Sequence, residues 1–446
     1  MINSKIRKKI CFINLGCKVN YAELSRLKKM FADMNYIITR NIDEADVVLV
    51  NTCSVTNQAD SDSRKTIRRL RHDNPNVFIG VLGCYAQLRP DEIAEKTEVN
   101  AIFSINDKFK IPELINKLLH ENISTPIITC ENFNLKKHEE IDNSKFDYAF
   151  SADNETRARA FMKLQDGCDF KCSYCTIPLA RGASRSLDFN ELFKQIEEIY
   201  NAGFKEIVLS GINLSSYKSR NKDFNDLIYA ISNIELDLQF RISSIEPQSI
   251  DIKLLEIISN AKNICPHFHI PLQSGSDEIL KKMKRRYNTS QFSENIKLIR
   301  KYIPQACIGL DVISGFPGET EELFNKTYEF IKHLDVNYLH CFSYSKRRNT
   351  IAAELPDQVV KSEKKRRTAL LQELSREKIL KYYEENLYKK HVFLPEKFDS
   401  NENIVFGHTR NYIPVEIRTN KQLYNNFYSV IITSIDKVKN LAVAEI

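Results

Sequence analysis

Short apolar runs, each followed by a stretch of helical periodicity, fill the first part of the chain. The runs are continuous rather than alternating, as expected for strands buried on both faces of a sheet. Repeated strand–helix units of this kind predict a parallel sheet covered by helices, in an α/β domain spanning residues 1–123. The predicted strands are Ile10–Leu15, Asp46–Val50, Val77–Leu82 and Ala101–Ile105, and the predicted helices are Ala22–Met34, Asp60–His72, Pro90–Lys96 and Ile111–His120.

A second α/β region is predicted for residues 154–385, after a polar linker at residues 124–153. Six strand candidates separated by helical stretches fit a β/α barrel, partial or complete, better than a sandwich. The basic helix Lys361–Glu385 closes the region. The six strand candidates are Phe161–Leu164, Glu206–Leu209, Gln239–Ser243, His267–Ile270, Ala306–Ile313 and Tyr338–Ser343.

The tail, residues 386–446, has a different character. Short strand candidates separated by turn residues predict a small all-β barrel. The length of 446 residues agrees with about three domains in all. The strand candidates of the tail are Val392–Leu394, Ile404–Gly407, Ile413–Arg418, Tyr428–Ile435 and Ala442–Ile446.

Composition limits the class of protein. Hydrophobic residues make up 42% of the chain, enough for globular cores, and the net charge of +7 permits an anionic partner without requiring one. The 11 cysteines are odd in number and no secretory signal pattern precedes them, which argues against a disulfide scaffold. No apolar run reaches the length of about 18 residues that a membrane span needs. We expect a cytoplasmic protein whose cysteines are thiols or metal ligands.

Three cysteines form the pattern C-x3-C-x2-C directly after the strand Phe161–Leu164: Cys168, Cys172 and Cys175. Structural zinc sites use four protein ligands, whereas three thiolates leave one metal position open. Thiolate-rich sites also bind iron–sulfur clusters, in which one iron then accepts an outside ligand. The alternative is a zinc knuckle with a distant fourth ligand. The place after a barrel strand favours chemistry, because β/α barrels carry their active sites at that end.

Three further cysteines each follow a predicted strand of the first domain: Cys17, Cys53 and Cys84. Carboxyl ends of neighbouring parallel strands open into one crevice, so the three thiols can converge although they are distant in sequence. Convergence would make a second cluster site. Spacing alone leaves open three separately buried core thiols. The other cysteines, Cys11, Cys130, Cys265, Cys307 and Cys341, match no ligand spacing, and we interpret them as buried thiols.

The C-x3-C-x2-C motif, with Tyr174 before its last cysteine, resembles the signature of the radical S-adenosylmethionine (SAM) enzymes. The resemblance implies a [4Fe-4S] cluster whose open iron binds the amino and carboxylate groups of SAM. In that superfamily an electron from the cluster cleaves SAM to a 5′-deoxyadenosyl radical. The superfamily fold is a partial or full β/α barrel, as predicted above.

The strings LGCKVNYAE, NTCSVTNQAD and LGCYAQ are similar to the amino-terminal domain of the radical SAM methylthiotransferases. The resemblance covers almost the whole chain and also includes IPLARGASRS, LSGINLSSY, RISSIEP, HFHIPLQSGSD and GLDVISGFPGET. It implies a second [4Fe-4S] cluster on Cys17, Cys53 and Cys84, and an RNA-binding TRAM-type barrel in the tail. In FSYSKRRNT, Arg348 and Asn349 replace the more usual Pro and Gly.

Within that family, GCKVN and NTCSVTNQAD resemble the branch acting on threonylcarbamoyladenosine of tRNA. The implied reaction adds a methylthio group to C2 of N6-threonylcarbamoyladenosine at position 37, in the anticodon stem-loop. An electron donor of flavodoxin or ferredoxin type is implied as well, together with a sulfur donor. The alternatives are isopentenyladenosine in tRNA, a ribosomal-protein aspartate, and a non-catalytic iron–sulfur RNA-binding protein. A strongly acidic tail would suit a basic ribosomal protein better than this slightly basic one.

Further candidate residues follow the barrel strands. Glu246 should face the barrel mouth, and the resemblance places it near cofactor or substrate; a solvated loop carboxylate is the alternative. The resemblance places the region of Gly211 near the methionine amino group of SAM. It places the strand of GLDVISGFPGET against adenine, although its glycines would also serve a plain strand-to-helix turn. The candidates for cofactor binding are Tyr174, Gly211, Glu246, Gln273, Ser274, Asp311 and Gly315.

Arg181 and Arg185 follow the C-x3-C-x2-C motif. Guanidinium groups suit bidentate binding of carboxylate or phosphate, so we expect at least one of them in the active site, with plain surface charge as the alternative. The basic block Lys364–Arg367 and the tail residues Lys389, Lys390, Arg410 and Arg418 could follow a phosphate backbone, or could be solvated surface charges.

Overall fold

A computed structural model describes residues 7–119, 125–130, 146, 149–150 and 158–446. The chain packs as two compact units. The first comprises residues 1–151, 166–185 and 345–353, and the second comprises 152–165, 186–344 and 354–446. Both cysteine triplets therefore belong to the first unit. Among the described residues, no helix has the length and apolar character needed to cross a membrane.

The first unit is built on a six-stranded sheet with the order β2-β1-β3-β4-β5-β6, in which every pairing is parallel. The predicted parallel α/β arrangement is confirmed. The sheet extends to β6, within the segment 124–153 predicted to be a linker; most of that segment lies outside the described residues. The elements are β1 (Lys9–Asn14), α1 (Lys18–Asp33), β2 (Ile37–Ile38), β3 (Val47–Thr52), α2 (Asn57–Asp73), β4 (Phe78–Gly83), α3 (Cys84–Leu88), α4 (Pro90–Lys96), β5 (Ala101–Ile102), α5 (Ile111–Leu118), β6 (Ile127–Ile128) and β7 (Ala149–Phe150).

The central strands of this sheet are buried along their full length. Every residue of β3 and of β4 is buried. The side chains of β3 alternate between two apolar cores, with Val47 and Leu49 in one and Val48 and Val50 in the other. Cores on both faces account for the continuous apolar runs in the sequence.

Residues 159–384 contain six parallel strands with intervening helices. Strands pair as β8-β11-β12 and as β13-β14-β15, and a bridge between Phe240 and Ile264 continues the order from β12 toward β13. The result is a partial β/α barrel, as predicted. The elements are β8 (Arg159–Lys163), β9 (Gln165–Asp166), α6 (Ile177–Arg181), β10 (Arg185–Ser186), α7 (Phe189–Asn201), β11 (Glu206–Ser210), α8 (Phe224–Ser232), β12 (Gln239–Ile242), α9 (Ile252–Asn260), β13 (His267–Gln273), α10 (Asp277–Lys282), α11 (Thr289–Tyr302), β14 (Cys307–Ser314), α12 (Glu321–His333), β15 (Tyr338–Ser343), α13 (Ile351–Glu354) and α14 (Lys361–Glu384).

The tail forms a closed five-stranded barrel with the order β16-β17-β18-β20-β19. Its core shares an apolar cluster with α14, through Tyr382 and Tyr383. The small all-β barrel predicted for the tail is confirmed. Its strands are β16 (Lys390–Asp399), β17 (Ile404–Thr409), β18 (Pro414–Arg418), β19 (Tyr428–Asp436) and β20 (Leu441–Glu445).

Candidate functional site

Cys17, Cys53 and Cys84 lie at the carboxyl ends of three neighbouring strands. The strands β1, β3 and β4 are adjacent in the sheet, and each cysteine comes within three residues of the end of its strand. Cys17 is exposed, Cys53 is half-buried and Cys84 is buried. The sheet therefore brings the three cysteines to one edge and arranges them from the surface inward.

Gly83 allows Cys84 to begin a helix directly after its strand. The backbone of Gly83 has φ of +100°, and a Cβ atom there would lie 2.3 Å from the carbonyl oxygen of Thr52 on the neighbouring strand. Only glycine fits that conformation and that close approach. The sharp turn keeps Cys84 at the sheet edge, beside the residues that follow β3.

Burial shapes the chemistry of these thiols. It raises the pKa of the Cys53 thiol to about 11, and negative charge on Cys84 and Cys17 contributes to that rise. Burial also raises the pKa of Cys84, while the charge of Arg181 opposes the rise. Negative charge on a neighbouring cysteine contributes to the rise at both thiols, and a bound cation would favour their thiolate forms.

Arg181 is fully buried and lies beside this triplet. Its guanidinium donates to the Glu23 carboxylate at 3.2 Å, to Asp166 Oδ1 at 2.9 Å and to the side-chain oxygen of Asn20. Burial works against the charge of Arg181, but the two carboxylates outweigh it and raise its pKa. Lys108 also donates to Glu23, at 2.5 Å. The guanidinium of Arg181 is thus paired within the chain.

Sequence reasoning missed the part that Asn20 and Glu23 play in this arrangement. Both residues are buried on α1, three and six positions after Cys17. The Cys17 thiol lies 3.6 Å from Asn20 Oδ1. Because residues three apart share one helix face, the string CKVNYAE contained the signal: a cysteine, an amide and a carboxylate on the same side of a helix.

Cys168, Cys172 and Cys175 lie on one loop before α6, and all three are half-buried. The backbone N–H of Phe170 donates to Cys168 Sγ, and that of Ile177 donates to Cys175 Sγ, each at 3.4 Å. Such donors stabilise negative charge on sulfur, as in iron–sulfur sites. Tyr174 is half-buried between the second and third cysteines.

Arg185, the other arginine predicted for the active site, pairs with the same carboxylate as Arg181. It donates to Asp166 Oδ2 at 3.1 Å and to the carbonyl of Arg181 at 2.8 Å. Asp166 thus holds both arginines of the loop.

The segment 345–353 contacts both cysteine regions of the first unit. Arg347 donates to Asp60 Oδ2 at 2.7 Å and to Ser54 Oγ at 2.6 Å, next to Cys53. The N–H of Ala352 donates to the carbonyl of Ser173 at 2.8 Å, between Cys172 and Cys175. These contacts show how the FSYSKRRNT region takes part in the site.

Asn349 in this segment has a φ of +65°. Asn is among the few residues besides Gly that adopt the left-handed conformation readily. Asn349 therefore keeps the backbone shape for which glycine is usual at this place of the motif.

In the second unit, Gly211 and Glu246 follow β11 and β12, at the carboxyl ends of these strands. Near Gly211, the side chain of Gln165 accepts a hydrogen bond from the N–H of Asn213 at 2.8 Å. Glu246 forms an ion pair with Arg285. Burial raises the pKa of Glu246, and Arg285 opposes the rise. Glu246 is therefore a partly buried, paired carboxylate rather than a solvated loop residue.

Three more predicted cofactor contacts lie at the ends of β13 and β14. Gln273 ends β13 with a φ of +64°, and Ser274 follows it. Ser274 is fully buried, and its hydroxyl lies 3.1 Å from Thr327 Oγ1. The N–H of Gly315 donates to Glu319 Oε2 at 2.6 Å. The Ser274 hydroxyl and the Gly315 amide thus have partners within the unit.

Asp311 lies in the middle of β14 and contacts two histidines that sequence reasoning did not select. His269 Nε2 lies 2.9 Å from Asp311 Oδ1, and His340 Nδ1 lies 3.5 Å from the same oxygen. Burial opposes the negative charge of Asp311, but the hydrogen bonds of His269 and His340 outweigh it and lower the pKa of the carboxyl well below its usual range. Each of the three residues lies on a predicted strand, but the register that brings them together is not contained in the sequence of any one strand.

Part of the predicted basic surface is paired within the chain. Arg366 and Arg367 both donate to Glu363 and Glu321, and Arg367 also donates to Glu319 at 2.9 Å. Arg410 donates to the carbonyl of Ile264 at 2.8 Å. These arginines support the fold. Of the five cysteines interpreted as buried thiols, Cys11, Cys130, Cys265 and Cys307 are buried, whereas Cys341 is only half-buried.

Comparisons with known proteins agree with this arrangement. The Radical SAM superfamily matches residues 162–331, and the Uncharacterized protein family UPF0004 matches residues 9–104. In fold, the chain is similar to the radical S-adenosylmethionine methyltransferase TsrM from Kitasatospora setae, with a TM-score of 0.55 at 12% identity over 78% of this chain and 77% of that one. That methyltransferase has cobalamin and a [4Fe-4S] cluster bound.

Relatives found by sequence have a higher identity to this chain than that methyltransferase does. The threonylcarbamoyladenosine tRNA methylthiotransferase MtaB of Bacillus subtilis is 38% identical over 94% of this chain and 93% of its own length. The corresponding protein of Aquifex aeolicus is 36% identical over 86% and 91%. A tRNA-2-methylthio-N(6)-dimethylallyladenosine synthase of Pelotomaculum thermopropionicum is 31% identical over 90% of each chain. Identity at this level over most of both chains places this protein in the radical SAM methylthiotransferase family, among its MtaB-type members.

Proposed function

We propose that this protein adds a methylthio group to C2 of N6-threonylcarbamoyladenosine at position 37 of tRNA, using SAM and two [4Fe-4S] clusters. The observation that carries the proposal is the pair of cysteine triplets in one compact unit, in a chain that is 38% identical to a relative named for this reaction. The unactivated C2–H bond of adenine suits abstraction by an organic radical, and sulfur transfer suits a second metal site with an open position.

The residues present fit the two clusters. Each site offers three thiols, which suits a cubane that keeps one iron open. Cys168, Cys172 and Cys175 would hold the cluster that binds SAM, and Cys17, Cys53 and Cys84 would hold the other. When bound, these groups supply the electron, the organic radical and the site for sulfur, as the family chemistry requires.

The protein's own residues prepare both sites. The N–H groups of Phe170 and Ile177 favour thiolates in the loop triplet. At the sheet triplet, the positive charge of Arg181 beside Cys84 lowers the cost of a buried thiolate. Asp166 and Glu23 hold Arg181 in place, so its part is positioning rather than contact with substrate.

In the second unit, we propose that the carboxyl ends of the barrel strands bind SAM and the target base. Gly211, Glu246, Gln273 and Gly315 come at or just after strand ends, where β/α barrels carry their sites. Ser274 supports the turn after β13 through its bond to Thr327. The anticodon stem-loop would contact this region and the TRAM-type tail barrel, and a donor of flavodoxin or ferredoxin type would supply electrons.

Nucleoside analysis tests the proposal. In tRNA from a strain that lacks this protein, mass spectrometry should find N6-threonylcarbamoyladenosine but not its 2-methylthio form, and the wild-type gene should restore that form. Loss of 2-methylthio-isopentenyladenosine instead would assign the chain to the other tRNA branch. An unchanged nucleoside profile would overturn the tRNA function. The reduced, reconstituted protein should also release 5′-deoxyadenosine from SAM when tRNA is present.

A further inference from the structure

Three potential metal ligands, none of them a member of either cysteine triplet, meet on adjacent strands of the partial barrel. They are His269 on β13, Asp311 on β14 and His340 on β15, and their ligand atoms all lie within 4.8 Å of one another. Asp311 and His340 are direct cross-strand neighbours. His269 pairs with Gly309, two residues before Asp311, and so lies diagonal to the carboxylate. The strand register therefore fixes the group.

Two of the three separations within the group are close to those of ligands around one ion, and all three ligand atoms lie within 4.8 Å of one another. Asp311 Oδ1 lies 2.9 Å from His269 Nε2 and 3.5 Å from His340 Nδ1. Bonds of about 2.0–2.2 Å from nitrogen and oxygen to zinc put neighbouring ligand atoms about 3 Å or slightly more apart. A cation could therefore enter with small side-chain movements.

The second nitrogen of His269 has its own partner. His269 Nδ1 lies 3.3 Å from the hydroxyl of Tyr338, which also lies 2.9 Å from His267 Nε2. Metal-binding histidines characteristically use the other ring nitrogen for such a contact, because it fixes the ring and its tautomer. Gly309 makes room for this contact: a Cβ there would lie 2.0 Å from the Tyr338 ring.

The group is buried on one side and open on the other. The side chain of His269 is 11% exposed, that of Asp311 25% and that of His340 55%. A cation bound by these three residues would keep coordination positions for water or an oxygen ligand. Three protein ligands with open positions are typical of reactive metal sites, whereas structural zinc sites are closed by four.

We propose that His269, Asp311 and His340 form a site for a divalent first-row transition metal, such as zinc or iron(II). Two imidazoles and one carboxylate suit these ions better than magnesium or calcium, which prefer sites made of oxygen. The site uses His269 Nε2, Asp311 Oδ1 and His340 Nδ1. The contacts that support this site hold whether or not the proposed methylthiotransfer takes place, and the site assigns Asp311 to a metal instead of to SAM.

Zinc uptake tests the site without turnover. Protein reconstituted anaerobically with iron and sulfide is dialysed against micromolar zinc, and zinc and iron per chain are measured by mass spectrometry. Wild type should take up one zinc that H340Q and D311N bind at least about tenfold more weakly, because loss of only an outer partner already costs about 10- to 100-fold. Y338F removes only the hydroxyl beside His269 Nδ1, so its affinity for zinc should fall by less than that of H340Q and D311N. H333Q, at a histidine 75% exposed on α12, is the matched control and should bind like wild type.

Zinc X-ray absorption separates this site from the cysteines. The bound zinc should have nitrogen and oxygen ligands at about 2.0–2.1 Å, whereas zinc on cysteine sulfur shows bonds of about 2.3 Å. Equal zinc uptake by wild type, H340Q and D311N, with unchanged iron, would overturn the proposal. A spectrum with sulfur ligands alone would overturn it too. Neither readout requires tRNA, so failure here leaves the proposed function untouched.

Discussion

The two cysteine triplets of the first unit are built in opposite ways. Cys168, Cys172 and Cys175 occupy eight consecutive residues of one loop, whereas Cys17, Cys53 and Cys84 come from three different strand ends. The loop triplet is defined by local sequence. The sheet triplet exists only once β1, β3 and β4 have paired, so its geometry depends on the fold of the whole first unit.

Their surroundings differ as well. The loop cysteines are all half-buried and receive backbone N–H donors. The sheet triplet runs from exposed Cys17 to buried Cys84, with the charge of Arg181 close by. Arg181 lies on the loop's own segment, six residues after Cys175. The segment from Cys168 to Arg181 thus supplies the three cysteines of the loop triplet and also the positive charge beside Cys84 of the sheet triplet. This shared segment couples the two triplets.

Removing one triplet at a time should separate SAM cleavage from methylthiolation. This is the largest effect we expect. Replacing Cys168, Cys172 and Cys175 with Ala should abolish formation of 5′-deoxyadenosine and leave about half of the bound iron, since one cubane would remain. Replacing Cys17, Cys53 and Cys84 with Ala should also leave about half of the iron, but should preserve SAM cleavage while stopping methylthiolation. Iron analysis and chromatography of the products check both.

The matched control is Cys341→Ala, which changes a half-buried cysteine outside both triplets and should leave iron and products at wild-type values. Loss of all iron in either triple variant would contradict independent sites. Loss of SAM cleavage in the sheet variant would show that the loop triplet depends on its neighbour.

Substitution of Arg181 tests the coupling between the regions. Arg181→Met removes the cation that Glu23 and Asp166 share, while Lys108 still pairs with Glu23 and Arg185 with Asp166. The two buried carboxylates lose hydrogen-bond donors, which costs about 1–3 kcal/mol. Hydrogen exchange of peptides from α1 and β3 measures this loss in the first unit. Arg69→Gln is the control, because the Arg69 side chain on α2 is 85% exposed. It should change the free energy of opening measured by exchange by less than about 0.5 kcal/mol. Equal exchange in both variants would contradict the coupling.

Much of this architecture follows from sequence alone, for physical reasons that differ between regions. Continuous apolar runs predicted β3 and β4 because both faces of the sheet are covered. The general rule for parallel sheets then allowed Cys17, Cys53 and Cys84 to converge, and the family resemblance favoured convergence over three separate buried thiols. The environment of Arg181 was beyond sequence reasoning, because its partners Glu23 and Asp166 are 158 and 15 residues away.

The histidine pair around Asp311 shows the same limit. Each residue lies on a predicted strand, and alternation alone places His340 on the same face as Tyr338. The diagonal offset of His269 depends on the register between β13 and β14. Register is set by packing of the whole barrel and is not contained in any one strand.

Alkylation tests the raised pKa of Cys341, a cysteine outside both triplets. Burial, followed by the charge of Asp311, raises the pKa of Cys341 to about 12. At pH 8 its thiolate fraction should be about a thousandfold below that of an ordinary thiol, and iodoacetamide should react correspondingly more slowly than with the unfolded chain. The rate should rise about tenfold per pH unit up to pH 11 in the folded protein, but level off above about pH 9 in urea. Equal folded and unfolded rates at pH 8, measured by mass spectrometry, would contradict the raised pKa.

The smallest expected effect concerns Asn349, in the segment that contacts both triplet regions through Arg347 and Ala352. Asn349 has a φ of +65°, a left-handed conformation that costs a β-branched residue about 1–2 kcal/mol. Asn349→Val should therefore speed hydrogen exchange in peptides covering Ser54 and Ser173 together, because one segment contacts both. Asn349→Gly is the matched control. Its free energy of local opening should stay within about 0.5 kcal/mol of wild type, since glycine adopts this conformation freely. Faster exchange around Ser54 alone would show that the segment supports the sheet triplet and leaves the loop triplet to its own local turn.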